Sequence, residues 1–390
     1  MTIEPDMNNM ARDRYRNGFR NPSLGLQCTI MLLMLGVTSF LPAQAQTTLP
    51  SQGDQQASTP PPVQPGAFPI DIAGYLSFQS LRDNDLQNTK VFREYSGSLF
   101  LSKNLNRWRF HVELNVNTLP AMDNNGLFLL PQRHSLGVRL DSGFVNYVSS
   151  DALQISAGYL FIPTYWREHR YQSTTLTVDN PLLDENVFPT AFKGGMIHGD
   201  KYFDDWGVSY ALYGGVDQQT EFTGPNRSLL TEGARCVGVK VTAHLPSAHF
   251  FDTFDVAFQE LGRYPSDGGR DDVYGTEFLL RKQRVEVLSE FAHDSLDIVG
   301  GSRAYIREGV YVQPSYRIAK KWFGVMRYDR LDADSRMATE SNQSRQSAGV
   351  TFHPIPSISL KLEGDRYSAQ SRERAHYGIT AGAVIFFHKP

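Results

Sequence analysis

The stretch PTYWREHRY (163–171) sets Tyr165, Trp166, Arg167, His169 and Arg170 close together. Guanidinium forks bind carboxylate and phosphate groups, and aromatic rings offer flat apolar faces beside them. Asp179, Asp184 and Glu185 follow within the same segment and oppose that positive charge. A second set alternates along RWRFHVELNVN (107–117), where Arg107, Arg109, His111 and Glu113 take one parity and Trp108, Phe110 and Val112 the other. Arg327 and Asp329 share one parity further on. These groups suit electrostatic selection of small polar or anionic solutes rather than bond breaking. No HExxH, phosphate-binding GxxxxGK[ST] or GxSxG motif appears, so no catalytic residue is assigned. DADSRMATE (332–340) lacks the glycine and spacing of a calcium loop, so neither a metal site nor a cofactor is expected from spacing.

The elements that carry these residues are strands. Side chains alternate faces along a strand, so residues 107–117 have one wet and one dry face. Sixteen such segments can be marked, from 69–80, 92–102 and 107–117 through to 357–367 and 376–387. Their lengths approach the 9–11 residues that a tilted membrane strand needs. Short connections (103–106, 149–152, 203–205, 246–249, 281–283, 318–321) alternate with long ones (118–138, 163–192, 217–233). This predicts an all-β, transmembrane, up-and-down antiparallel barrel of about sixteen strands, with tight periplasmic turns and long outer loops. Trp108, Trp206 and Trp322 each open a strand after a short turn, which predicts one aromatic rim at the bilayer interface. Phe387 closes the last alternating segment near the chain end and joins those aromatics.

The N-terminus reads as a separate processing signal. Four arginines between 12 and 20 precede the apolar run 28–41, and AQA (43–45) offers small residues at a cleavage spacing. Residues 1–45 are therefore expected to be a signal peptide. Residues 46–67, rich in Pro, Gln, Ser and Thr, are expected to form a disordered linker ahead of a barrel over 68–390. Cleavage would leave Cys236 alone, which excludes an internal disulfide. A formal net charge of −3 gives no basic surface for nucleic acid.

The thirty residues 163–192 have no evident regular structure, yet carry apolar Leu182, Leu183, Val187 and Phe188. Such anchors predict an ordered loop folded inward, which would narrow a water-filled lumen. The segments LQISAGYLFIPTYWREH (153–169), FKGGMIHGD (192–200) and GVYVQPSYRIAKKWFGVMRYDRLD (309–332) resemble the phosphate-selective porin O/P family of outer-membrane channels. Gly158 with Pro163, Tyr311-Val312-Gln313 with Tyr316, and Arg327-Tyr328-Asp329 carry that likeness. It implies a trimeric pore in a bacterial outer membrane, in contact with the lipid bilayer and passing small hydrophilic solutes or anions. The family's ladder of phosphate-binding arginines and lysines is not evident. An outer-membrane enzyme of lipase type, and a binding or adhesion protein using its outer loops on a plugged barrel, stand as alternatives.

Overall fold

The computed structural model describes residues 70–83, 90–119, 135–164, 166, 175–218, 233–265, 268–297, 305–332, 342–369 and 376–389. The expected signal peptide and linker lie outside these residues. Sixteen strands follow in chain order: β1 (Asp71–Asp83), β2 (Lys90–Leu105), β3 (Trp108–Leu119), β4 (Ser135–Ser150), β5 (Leu153–Phe161), β6 (Ala191–Phe203), β7 (Trp206–Gln218) and β8 (Arg235–Leu245). They continue with β9 (Thr253–Tyr264), β10 (Arg270–Lys282), β11 (Val285–Asp297), β12 (Tyr305–Ala319), β13 (Trp322–Asp332), β14 (Gln343–Ile355), β15 (Ile358–Ala369) and β16 (His376–Lys389). A short helix, α1 (Leu182–Asn186), lies between β5 and β6.

Each strand pairs antiparallel with the next, and β1 closes the barrel on β16 from Ile72↔Lys389 to Asp83↔Gly378. Closure gives every strand two partners, so no sheet edge is left to aggregate. The strand faces show which way the dry side points. On β15, Leu360 and Leu362 are exposed, the latter at 56%, whereas Ser359, Lys361 and Glu363 between them are buried, the last at 1%. On β3, Trp108 and Phe110 are exposed while Glu113 is buried. Apolar side chains out and charged ones in is the inverse of a soluble barrel, and it is the pattern a bilayer imposes on a spanning sheet.

Strands extend past the apolar alternation mainly at the long-loop rim. β9 runs to Tyr264 and β10 starts at Arg270, so the predicted connection 261–271 shrinks to 265–269. Hydrophobic alternation marks only the lipid-facing part, but the hydrogen-bond ladder needs no apolar side chains to continue. At the short-turn rim, β9 begins later than predicted, at Thr253. The intervening segment makes its own small hairpin, with Ala248 and Phe251 exchanging both backbone hydrogen bonds.

Gly158 on β5 has φ +140°, and a Cβ there would lie 2.3 Å from the Gly143 carbonyl oxygen. That strand geometry admits only glycine without strain. Gly158→Ala is expected to cost about 1–3 kcal/mol in reversible urea unfolding. An unchanged midpoint would show that β4 can move away.

Candidate functional site

The loop between β5 and β6 is closed at its neck by a hydrogen bond from Ile162 N to Thr190 O, 3.3 Å. Beyond the neck, the chain lies against the inward face of β11 to β15. A non-repetitive segment cannot satisfy its own backbone groups, so the wall side chains do it. Trp166 N donates to Glu290 Oε1 at 2.9 Å, Val178 N to Glu363 Oε2 at 2.7 Å and Leu182 N to Asp329 Oδ1 at 3.3 Å. Arg327 donates through Nη1 to Thr177 Oγ1 (3.0 Å) and Asp179 O (2.9 Å), and through Nη2 to Asn180 O. Arg345 also donates to Asn180 O. Lys361 Nζ reaches Thr175 Oγ1 at 2.9 Å and Thr177 O at 3.0 Å, and Thr351 Oγ1 reaches Leu176 O at 2.7 Å.

Apolar packing completes the dock. Ile162, Trp166, Leu183, Val187 and Phe188 join one buried cluster with Tyr213, Leu261, Val273, Ala292 and Tyr311 of the wall. The glycines of the wall make room for it. A Cβ on Gly275 would stand 2.8 Å from Phe188 Cζ, and one on Gly309 would stand 3.1 Å from Leu183 Cβ. Trp166 sets its edge against Tyr311 at 6.3 Å, and its ring lies 5.8 Å from the Arg327 guanidinium carbon.

The residues singled out from sequence therefore separate. Trp166, Arg327 and Asp329 come together in this dock. The Arg327 and Asp329 side chains are fully enclosed and bonded to each other at 3.0 Å, rather than presenting charge to open water. Arg345 shares Asp329 at 3.1 Å and lies 3.5 Å from Asp179. Glu113 is buried elsewhere on the wall with Ser142 Oγ 3.4 Å away, and His111 lies between the rings of Phe100 and Phe144 at 6.2 and 5.2 Å. Arg109 is exposed on β3. Arg107 falls in the turn before β3, and its Nη1 lies 3.4 Å from Tyr147 Oη. Tyr147 packs on the outward-facing Trp108 at 4.9 Å, so Arg107 turns to the aromatic side of the wall instead of the lumen. Tyr165, Arg167, His169 and Arg170 lie outside the described residues, as does the side chain of Glu185. Trp206 stacks on Phe203 at 4.5 Å and Trp322 on Phe352 at 4.3 Å, both exposed beside short turns. The Phe387 ring covers Gly74, where a Cβ would sit 2.6 Å from Phe387 Cζ.

A cavity of about 750 Å3 lies along β6 to β10, toward the short turns. Its lining holds a row that sequence reading did not find. Ser209 Oγ is 2.7 Å from His244 Nε2, and His244 Nδ1 is 2.9 Å from Asp255 Oδ1. Lys240 and Glu277 pair there at 2.9 Å. The signal was register: His244 and Asp255 sit opposite each other across the β8–β9 hairpin, invisible as linear spacing.

No protein-family model matches the chain, and no curated protein matches its sequence. Solved structures do. An anion-selective porin from Comamonas acidovorans superposes with TM-score 0.56 at 11% identity, over 82% of this chain and 99% of that one. OmpF of Salmonella typhi, in complex with daunomycin, gives TM-score 0.56 at 11% identity, over 82% and 97%. The outer membrane channel DcaP of Acinetobacter baumannii gives 0.51 at 11% identity, over the same shares. At these identities the likeness is one of fold. The chain is a closed sixteen-stranded barrel of the outer-membrane type.

Proposed function

We propose that this protein is an outer-membrane porin, a water-filled diffusion channel for small hydrophilic solutes, narrowed by the loop 163–192. The observation that carries this reading is the seam of buried hydrogen bonds fastening residues 175–182 to the inward wall. Sixteen strands enclose more space than wall side chains can fill, and a docked loop sets the width of what remains. Residues 1–45 serve as the export signal and 46–67 as a spacer. The O/P-type motifs support a homotrimer. They carry no phosphate specificity, because the charged lining of the described cavity is more acidic than basic, with Asp200, Asp205, Asp252, Asp255 and Glu277 against Lys240 and Arg281. Any anion preference comes from Arg167, His169 and Arg170.

In planar bilayers the folded protein is expected to give stepwise conductance. Its reversal potential in a salt gradient is expected to shift toward cation preference in Arg167→Ala and Arg170→Ala. Silent membranes from correctly folded protein would sink the pore reading. The Ser209–His244–Asp255 row favours one rival, an acyl hydrolase, since it orders nucleophile, base and orienting carboxylate. Two features oppose it. Backbone N–H groups on a flat strand are committed to the ladder, and Asp200 stands opposite Ser209 where an oxyanion would form. Ester hydrolysis abolished by Ser209→Ala, with conductance intact, would establish the rival.

A further inference from the structure

We propose that Asp179, Glu363 and Asp365 form a calcium site that pins the loop to the wall. One carboxylate oxygen from each lies within 4.8 Å of the other two. That spread is twice a Ca–O distance of about 2.4 Å, so a single ion can reach all three. Three carboxylates this close repel one another strongly unless a cation or a proton stands between them.

The second observation is Glu363 itself. The residue is 1% exposed, its Oε2 is taken by Val178 N, and its Oε1 meets no N–H or hydroxyl donor, with the Asp365 carboxyl as the side chain's other neighbour within hydrogen-bonding reach. A buried carboxylate oxygen without a donor is costly, and a cation satisfies it where no N–H is at hand. The surrounding charges leave room for one. Asp179, Asp329, Glu363 and Asp365 face Arg327, Arg345 and Lys361, and the two arginines spend much of their donor capacity on Asp329 and loop carbonyls, with Arg345 Nη1 also 3.5 Å from Asp179 Oδ2. Lys361 is directed to Thr175 and Thr177. Asp179 and Asp365 are only half-buried, so a hydrated ion has a way in. Carboxylates from two separate segments, flexible in denticity, fit calcium better than magnesium, which demands a near-ideal octahedron. The consequence is mechanical, because Asp179 belongs to the loop whereas Glu363 and Asp365 belong to β15.

The test uses the full chain folded in detergent and freed of metal with EDTA. Calorimetric titration with CaCl2 is expected to show one saturable site per chain, in the range of about 10−4–10−3 M typical of extracellular calcium modules. Terbium luminescence excited through tryptophan is expected to appear and to be displaced by calcium. Glu363→Gln and Asp179→Asn are each expected to weaken binding at least tenfold, while Asp205→Asn in an exposed turn leaves it unchanged. Absence of saturable binding in the folded parent chain overturns the proposal, as does binding that survives both substitutions. A Glu363→Gln chain that melts at or above the parent, with no calcium response in either, assigns a shared proton instead. The inference rests on the docked loop and not on conduction, so its failure and that of the pore reading are read out separately.

Discussion

Arg327→Met is expected to free the docked segment while leaving the barrel closed. The guanidinium is the one group that bonds Asp329, Thr177 and the carbonyls of Asp179 and Asn180 together, and its side chain is fully enclosed. Methionine fills similar space but donates nothing. Asp329 keeps only Arg345 and the Leu182 N–H, and two loop carbonyls lose a donor. Removing one partner from such a buried set costs about 3–5 kcal/mol. At about 1.4 kcal/mol per tenfold, this corresponds to between two and four orders of magnitude in local opening. The readout is hydrogen exchange at the amides of Val178 and Leu182, which the wall carboxylates hold in the parent chain. Lysine at 327 is not expected to restore protection, because a single ammonium lacks the planar fork that reaches several acceptors in a fixed geometry. Leu362→Ala, on the outward face, serves as the control. Unchanged exchange at both amides would mean that apolar packing alone holds the loop. Under the porin reading, the same variant also conducts more and with more noise.

That seam shows where sequence reading stops. The strand containing SLKLEGD is legible because its apolar residues repeat with period two and a bilayer leaves that face exposed. Closure, direction and strand number follow from the alternation of short and long connections. Leu182, Leu183, Val187 and Phe188 are legible as anchors, since a solvated loop has no use for them. Their partners are not. Glu290, Arg327, Arg345 and Glu363 lie 124 to 185 residues from the loop atoms they bind, and parity says only that they point inward. Whether an inward charge meets water or another backbone depends on where a thirty-residue loop settles. Parity also fails at strand ends. Arg107 shares the wet parity of Glu113, but it lies in a turn, where the side chain is free to swing over the rim to Tyr147. The Ser209–His244–Asp255 row needs two registers at once, and no linear spacing encodes them.

Arg263→Met is expected to be the most damaging single change to the barrel itself. Arg263 sits on β9 directly opposite Asp271 of β10 and bonds it, while its Nε reaches over β8 to Asp217 on β7. All three side chains are essentially sealed from solvent. The reach is possible because the residue beside Arg263 on β8 is the small, buried Cys236, which in turn faces Gly215 on β7. The guanidinium thus ties β9 to β10 and, across β8, to β7 near the long-loop rim. Without it, two buried carboxylates lose their counter-charge, with Asp294 close by on β11 already committed to Arg307 at 2.6 and 3.0 Å. The expected loss is about 3–5 kcal/mol, measured by reversible urea unfolding in vesicles with tryptophan fluorescence. Replacing the whole set by Arg263→Met, Asp217→Leu and Asp271→Leu is expected to recover most of it, since an apolar set of similar volume needs no counter-charge. Cys236→Leu should reproduce part of the Arg263→Met loss by blocking the path to Asp217, with the charges themselves untouched. If Arg263→Met unfolds within about 1 kcal/mol of the parent chain, the network is not holding these strands, and the ladder hydrogen bonds alone account for that part of the wall.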